Sequence, residues 1–312
     1  MEIKENIALA EYSLFGIGGS ARYFAEATSA HEAVQFMEWA RECKFPVFVL
    51  GGGSNILVAD EGFDGLVIRT AKMRGVEFHG ENFAAEAGVA MGQIARLTAE
   101  RGLAGMEWAI GIPGTLGGSI RGNAGCYGGE IKDALVSVTA IDLQTGEKLE
   151  LDNAACKFNY RDSVFKRRPE LVILSAEFKL SRNDAEISRK LIKEYALKRV
   201  ESQDVGAKCA GCFFKNADWR VLPKKKLLAD FPELEQFEGQ PRISAGFLID
   251  QAGLLGYATS GAKISEKHGN FIINAGGASA RDIATLADLV KGKIFARYGI
   301  ALEEEVQRVG FV

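Results

Sequence analysis

The chain has 312 residues, with 38 Lys and Arg against 41 Asp and Glu, a net charge of −3. Charged residues make up 25% and hydrophobic ones 47%, ordinary proportions for a folded chain of about two domains; they exclude disordered, collagen-like and coiled-coil architectures and give no overall positive field for nucleic acid or an anionic membrane. Glycine is in excess, at 36 residues or about 11.5% against a usual ~7%, while proline is scarce at 6. Some of this backbone must turn with positive φ or approach something closely. Five cysteines at irregular positions, Cys43, Cys126, Cys156, Cys209 and Cys212, do not make a secreted disulfide framework and fit a reducing cytosol. The charged N-terminus has no apolar stretch behind it, and no apolar run approaches the ~18 residues of a membrane helix, so neither export nor insertion is expected.

In chain order, Ser29-Ala-His-Glu32 is a capping-box pattern, and Val34, Phe36, Met37, Ala40 and Cys43 recur at helical spacing up to Phe45-Pro46. Pro46 to Leu50 reads as a buried strand, followed by Gly51-Gly-Gly-Ser-Asn55 and further strands at Ile56-Leu-Val and Leu66-Val-Ile68. Ile94 and Leu97 mark a second helix ending near Gly102. A second glycine-rich segment, Gly111-Ile-Pro-Gly-Thr-Leu-Gly-Gly118, continues to Asn123-Ala-Gly-Cys-Tyr-Gly-Gly129. Leu135 to Leu143 and Lys148 to Leu151 flank Gln144-Thr-Gly146 as a hairpin, and Leu171-Val-Ile-Leu174 is another buried strand. Asn183 with Glu186 is expected to cap a helix that carries Ile187, Leu191 and Tyr195 and ends on the basic Lys198-Arg199. The polar stretch Glu201 to Lys208 reads as a linker. Beyond it come Gly211-Cys-Phe-Phe-Lys-Asn216, a short helix near Ala245 to Ala252, a strand at Asn270-Phe-Ile-Ile273, and a helix capped by Ser279 with Ile283, Leu286 and Val290 inward. The mixture is α+β.

Gly16-Ile-Gly-Gly-Ser-Ala21 matches the dinucleotide fingerprint formally but lacks the strand before it and the helix after it, so it reads as a tight turn; no P-loop sequence occurs. The two later glycine clusters are more informative. A glycine loop after a strand exposes consecutive backbone N–H groups that can cradle a pyrophosphate, and two such loops can clasp one dinucleotide. Cys209-Ala-Gly-Cys212 has redox-pair or half-zinc spacing. The other cysteines and His31, His79 and His268 are scattered, so no metal is expected and two incidental thiols remain the plainer reading. Tyr160-Arg-Asp-Ser163 and Glu303-Glu-Glu305 look in isolation like solvated charge. If the latter is a strand, Glu304 is in phase with Ile300, Leu302 and Val306 and Glu305 is opposite, a periodicity that does not choose the functional glutamate.

Taken together, Gly51 to Asn55, Gly111 to Gly118, Asn123 to Gly128, Tyr160-Arg-Asp-Ser163, Gly211 to Asn216 and Leu302-Glu-Glu-Glu-Val306 closely resemble the UDP-N-acetylenolpyruvoylglucosamine reductase family, in order over nearly the whole chain from about Phe15. The short stretch between Ser163 and Cys212 is similar to the compact branch lacking an extra tyrosine loop. The resemblance implies an α+β fold with a two-lobed FAD-binding domain of the vanillyl-alcohol-oxidase type over residues 1–202, its lobes splitting near residues 60–70. A smaller α+β substrate domain follows over residues 203–312, with a C-terminal segment returning to the active site. It implies a bacterial, cytoplasmic enzyme of peptidoglycan precursor synthesis. NADPH reduces FAD, and hydride then passes to the enolpyruvyl double bond of a UDP-sugar, with no nucleic-acid, membrane or obligate protein partner. The FAD residues implied are Gly51, Gly52, Gly53, Ser54, Asn55, Ile56, Gly111, Ile112, Pro113, Gly114, Gly117, Gly118, Asn123 and Gly125. Arg161 would hold the charge that builds beside the substrate carboxylate, and Glu305 would act beside it as acid or electrostatic partner. Cys212 stands where the family usually has a serine proton donor. Tyr160, Lys215, Asn216, Gln251 and Lys263 are the substrate-binding expectations. A flavin oxidase of the same fold, and a non-catalytic nucleotide-binding module whose cysteines sense redox state, are the alternatives.

Overall fold

A computed structural model describes residues 2–311. The chain divides into two compact units: one formed by Met1–Ala8, Ser20–Gly53 and Phe63–Glu201, the other by Leu9–Gly19, Ser54–Gly62 and Ser202–Val312. The sequence reading, with its single boundary after residue 202, assigns Leu9–Gly19 and Ser54–Gly62 to the first domain instead.

The first unit is built on two sheets. In one, the strands Lys4–Ala8, Ser20–Glu26, Phe63–Arg69 and Val47–Leu50 lie in that spatial order, the first pair antiparallel and the others parallel. The helix Ala30–Glu42 supplies the crossover that parallel strands require. Its buried face, Ala33, Phe36, Met37 and Ala40, packs on Leu66 and Ile68, whereas Cys43, one residue past its end, is exposed. The capping box is only half realised: Ser29 Oγ accepts from the Glu32 N–H at 3.2 Å, but the Glu32 carboxylate turns to the N–H and hydroxyl of Thr28.

The second sheet is wholly antiparallel, in the order Lys148–Asp152, Leu135–Asp142, Leu171–Lys179, Asn82–Glu86 and Val76–His79. The hairpin at Gln144-Thr-Gly146 is present, its turn held by Asp142 Oδ1 accepting from the N–H groups of Gln144 and Thr145. Leu171 to Leu174 is a continuous apolar run because both faces of the strand are covered. Leu171 and Ile173 point into the core of this sheet, and Val172 and Leu174 into the core beneath the first one. Phe83 and Phe178 stand directly opposite each other and stack with ring centroids 4.9 Å apart.

The helix Ala185–Ser202 is present and carries Leu191 and Tyr195 inward, but its cap and its first apolar residue differ from expectation. Asp184, not Asn183, caps it, accepting from the Glu186 N–H at 2.8 Å, and Ile187 is 51% exposed. The inner stripe instead begins at the buried Ser188, whose hydroxyl donates to the buried Glu107, and continues through the half-buried Leu191, Ile192 and Tyr195. The polar i, i+3, i+4 start of this stripe hides it from an apolar-periodicity reading.

In the second unit, a four-stranded antiparallel sheet, in the order Cys209–Cys212, Phe271–Asn274, Ala262–Ile264 and Ala258–Thr259, carries the helix Ala280–Tyr298. Ile283, Leu286 and Val290 are inward as expected, and Ser279 with Asp282 forms the reciprocal capping box. The two early segments join this unit by specific bonds. Asn274 Nδ2 donates to the Phe15 carbonyl, and the Asp60 carboxylate accepts from the Ala280 and Arg281 N–H groups at the positive end of the helix. Ile56–Val58 does not pair with Val47–Leu50; it pairs in parallel with Gln307–Val309, near the C-terminus. The stretch read as a linker is tied down, since Asp204 accepts from the Ser265 hydroxyl. The Gly16 to Ala21 turn leads into a strand, not a helix, and a Cβ at Gly18 would lie 2.6 Å from Val58 Cβ.

Asn270, 2% exposed, holds the Phe214 backbone from both sides, donating to its carbonyl at 2.7 Å and accepting from its N–H at 2.9 Å. Asn270→Ala strands two buried backbone groups and is expected to lower the stability of this unit by about 3 kcal/mol, read by denaturant unfolding.

Candidate active site

The two glycine segments meet in the first unit. A Cβ built on Gly51 would lie 2.5 Å from Thr115 Oγ1, and one on Gly52 would lie 2.7 Å from Gly114 Cα, so the loops touch backbone to backbone. Gly53 at φ +63° and Gly114 at φ +113° hold conformations that suit glycine. Among the described residues the N–H groups of Gly52, Gly53 and Gly114 donate to no protein acceptor. Thr115 begins the helix Leu116–Arg121 but does not cap it, and its Oγ1 is buried without a hydrogen-bond partner. Of these, Gly53 and Thr115 are buried, and a buried backbone donor or hydroxyl is almost always paired, so the pair is shaped for an acceptor supplied by a ligand, and the oxygens of an FAD diphosphate fit it.

Two of the expected FAD residues also have structural tasks. The second segment does not follow a strand; it leaves the short turn Glu107–Ala109 and runs into the helix Leu116–Arg121. Gly117 is inside that helix because a Cβ there would lie 2.9 Å from Ala87 Cβ, so it packs helix on strand. Asn123, fully buried at φ +41°, donates through Nδ2 to Glu130 Oε2 and the Asn159 carbonyl and accepts from the Lys132 N–H. Its side chain thereby fastens the Tyr160-Arg-Asp-Ser163 loop to the glycine segment. Gly125 starts a tight hairpin over Tyr127 and Gly128, both at positive φ, and accepts through its carbonyl from Arg161 at 2.9 Å. Arg161 is itself at φ +52°, over the Tyr160 ring, with its carbonyl held by Lys166 Nζ at 2.8 Å. A bulky residue in that conformation is strained, and such strain is concentrated at functional sites. Gly111, Ile112 and Pro113 form the loop between, closed by the Ile112 N–H on Ala109 O, and a Cβ on Gly111 would press on Arg199 Cδ at 2.9 Å. Sequence reasoning nominated neither Thr115 nor Arg199; a threonine just before Leu-Gly-Gly was the available sign of the former.

In the second unit, Gly211 to Asn216 lies antiparallel to Glu303 to Val306: Lys215 N–H donates to Glu303 O, Glu305 N–H to Phe213 O, and Phe214 bridges Glu304. Cys212, Lys215 and Glu305 are thus brought to adjoining segments. Asn55 Nδ2 donates to the Glu305 carbonyl at 3.1 Å, and Asn55 O accepts from the Gln307 N–H; Ser54 and Ile56 flank it in the same unit. The three glutamates separate by their partners. Glu303 is exposed and pairs with Lys215, whereas Glu304 is clamped between Lys291 Nζ at 2.8 Å and Arg308 at 2.6 and 2.9 Å. Glu304 has a structural partner set, and Glu305 is the glutamate that the resemblance nominates. Asn216 Oδ1 accepts from the Ala245 N–H at the start of the helix Ala245–Gln251, while Gln251 closes the other end of that helix, and Lys263 pairs with Glu266 at 2.6 Å. Gln251 is therefore about 9 Å along the helix from the end that Asn216 holds.

Burial pushes the Glu304 carboxyl up, but the hydrogen bonds from Arg308 and Lys291 outweigh it and hold the group below the usual carboxylate range. A lowered folded-state value stabilises above the unfolded value of ~4.3 and is lost as pH falls through the folded one. Wild type should accordingly exceed Glu304→Gln in unfolding midpoint at pH 7, and the gap should narrow on acidification below ~4.

Residues 21–152 match the model of an FAD binding domain, and residues 202–309 match that of the UDP-N-acetylenolpyruvoylglucosamine reductase C-terminal domain. UDP-N-acetylenolpyruvoylglucosamine reductases from Synechococcus sp. (strain JA-3-3Ab) and Prochlorococcus marinus (strain NATL2A) are 38% and 34% identical to this chain, over 99% and 100% of it and 91% and 99% of their own lengths. The crystal structure of UDP-N-acetylenolpyruvylglucosamine reductase from Thermus caldophilus superposes with a TM-score of 0.76 at 29% identity, covering 99% of both chains. The FAD-binding fold and the family expected from the six motifs are both found, and the chain belongs to the UDP-N-acetylenolpyruvoylglucosamine reductase family.

Proposed function

We infer that this chain reduces the enolpyruvyl ether of UDP-N-acetylglucosamine to UDP-N-acetylmuramate with NADPH, through bound FAD, in bacterial peptidoglycan synthesis. The observation that carries this reading is the backbone contact between Gly52 and Gly114 beside the orphaned Thr115 hydroxyl, in a chain of this family. Gly51 to Gly53 and Gly111 to Gly118 would hold the diphosphate, with Asn55 and Ile56 following in sequence. Bound FAD supplies hydride transfer between NADPH and the substrate carbon.

The protein's own contribution is charge and proton handling. Hydride addition to the enolpyruvyl carbon builds negative charge next to the carboxylate, and the permanently charged guanidinium of Arg161, fixed by Gly125 O and a strained backbone, is suited to hold it. Cys212 would deliver the proton that quenches the charge, and Glu305, on the adjoining segment, would act with it as acid or electrostatic partner. Tyr160 of the first unit and Lys215, Asn216, Gln251 and Lys263 of the second would bind substrate carboxylate or diphosphate. No helix among the described residues is long and apolar enough to cross a membrane, and a UDP-sugar substrate fits a cytoplasmic location.

The purified protein is expected to show an oxidised-flavin spectrum, bleached by NADPH without substrate and recovered on adding the enolpyruvyl UDP-sugar; rapid recovery in air alone would favour the oxidase. Gly52→Val, whose side chain must displace Gly114, is expected to give a folded but flavin-poor protein, measured as the flavin-to-protein absorbance ratio; normal loading would remove this loop from the site. Arg161→Lys keeps the charge and loses the planar fork, and Glu305→Gln keeps the shape and loses the acid. Stopped-flow traces should show the substrate-dependent recovery slowed in both, with NADPH bleaching nearly unchanged. Cys212→Ala should slow the same step by ~10² to 10⁴ and Cys212→Ser much less.

A further inference from the structure

In an unbroken strand, residues three apart point to opposite faces of the sheet. Cys209 and Cys212 escape that rule. Cys209 stands opposite Ile273 and Cys212 opposite Phe271, so three steps along one strand match two along its neighbour. The Asn274 N–H on Lys208 O and the Phe213 N–H on Asn270 O hold the register on either side. The extra residue is absorbed where Gly211 adopts φ +73°, the left-handed conformation of a glycine bulge. Directly opposed residues share a face, as do residues two apart such as Phe271 and Ile273. The two cysteines therefore share one face, with Cα atoms about two strand residues apart, ~6.6 Å. A disulfide spans Cα separations of about 4.4–6.8 Å.

The surroundings divide the roles. Cys209 is 7% exposed and packed in the core. Burial pushes the Cys209 thiol up, so it is slow to react first. Cys212 is the more accessible of the pair, and neither is in a disulfide.

We propose that Cys209 and Cys212 form an oxidisable dithiol, closed to an intrastrand disulfide by a peroxide. The Cys212 thiolate attacks one peroxide oxygen, giving a sulfenic acid and, from hydrogen peroxide, one water after protonation. The Cys209 thiol then attacks that sulfur, the S–S bond forms, and the sulfenic oxygen leaves as a second water. Two electrons pass from the dithiol to the peroxide, and a thiol reductant reverses the change. Resting on the reading of Cys212 as proton donor, closure also removes that donor.

Trypsin releases Cys209 to Lys215 as one peptide carrying both sulfurs. After treating the full-length holoprotein with hydrogen peroxide, alkylating the remaining thiols and digesting, that peptide should be unalkylated and lighter by two hydrogen atoms than the dithiol form. A thiol reductant should return it to the alkylatable form. In Cys209→Ala and Cys209→Ser, the same treatment should add oxygen at Cys212 instead. The proposal is overturned if the wild-type peptide gains oxygen at Cys212, or stays fully alkylatable while the exposed Cys43 is oxidised in the same sample. Turnover of the bridged protein tests the other reading separately: a bridge that forms with no loss of substrate reduction supports the dithiol and removes Cys212 from the donor role.

Discussion

The contact between Gly52 and Gly114 is the constraint on which the first unit depends. That approach leaves no room for a side chain on Gly52, and it is set by elements far apart in sequence. Gly51 to Gly53 is carried on the end of the parallel strand Val47–Leu50. Gly114 and Thr115 are held instead by the second sheet's connections, through Met91 N–H on Gly114 O, Leu116 N–H on Val89 O and Gly117 N–H on Ala87 O. The close packing of Gly117 on Ala87 then fixes the helix that presents Thr115. Three glycines thus do different work within one cradle: Gly52 permits loop contact, Gly114 supplies a left-handed turn, and Gly117 seats the helix.

Much of this was legible in the sequence, because the relevant signals are local. The glycine clusters, the 142–148 hairpin, the Ser279 capping box and the apolar run at Leu171 each follow from a few adjacent residues. What escaped depends on partners distant in the chain. No spacing rule indicates that Ile56–Val58 pairs with Gln307–Val309, or that Asp60 caps a helix beginning at Ala280, since both are bonds between segments more than two hundred residues apart. The first turn of the helix at Ala185 escaped for a different reason: its inner face opens on a serine satisfied by Glu107, and polar burial is invisible to hydrophobic periodicity.

The three consecutive glutamates differ in the partners that hold them. Alternation sets Glu304 apart from Glu305 without saying which of them is functional. Two cations from other elements decide the matter for Glu304, because a carboxylate gripped by Lys291 and Arg308 is committed to holding the C-terminal segment against the helix Ala280–Tyr298. Glu303 is exposed and serves Lys215. Glu305, whose main chain is pinned by Phe213 on one side and Asn55 on the other, has its position specified more tightly than its neighbours.

Asn123, expected at the cofactor, also has a structural task. Its side chain makes three hydrogen bonds to the protein, all within segments that border Arg161: Glu130 and Lys132 on one side, Asn159 on the other. Arg161 and Asn123 both sit at positive φ, a conformation whose cost for a non-glycine residue is of order 1–3 kcal/mol. The fully buried Asn123 network and the Lys166 bond to the Arg161 carbonyl offset that cost and hold the guanidinium on the Gly125 carbonyl. An arginine intended to meet charge that exists only during the reaction must be in place beforehand, since reorganising it in the transition state would forfeit the stabilisation it provides. The strained turn and its buried asparagine are therefore best understood as one device that preorganises Arg161. The asparagine belongs with the arginine it positions more than with the diphosphate loop it follows in sequence.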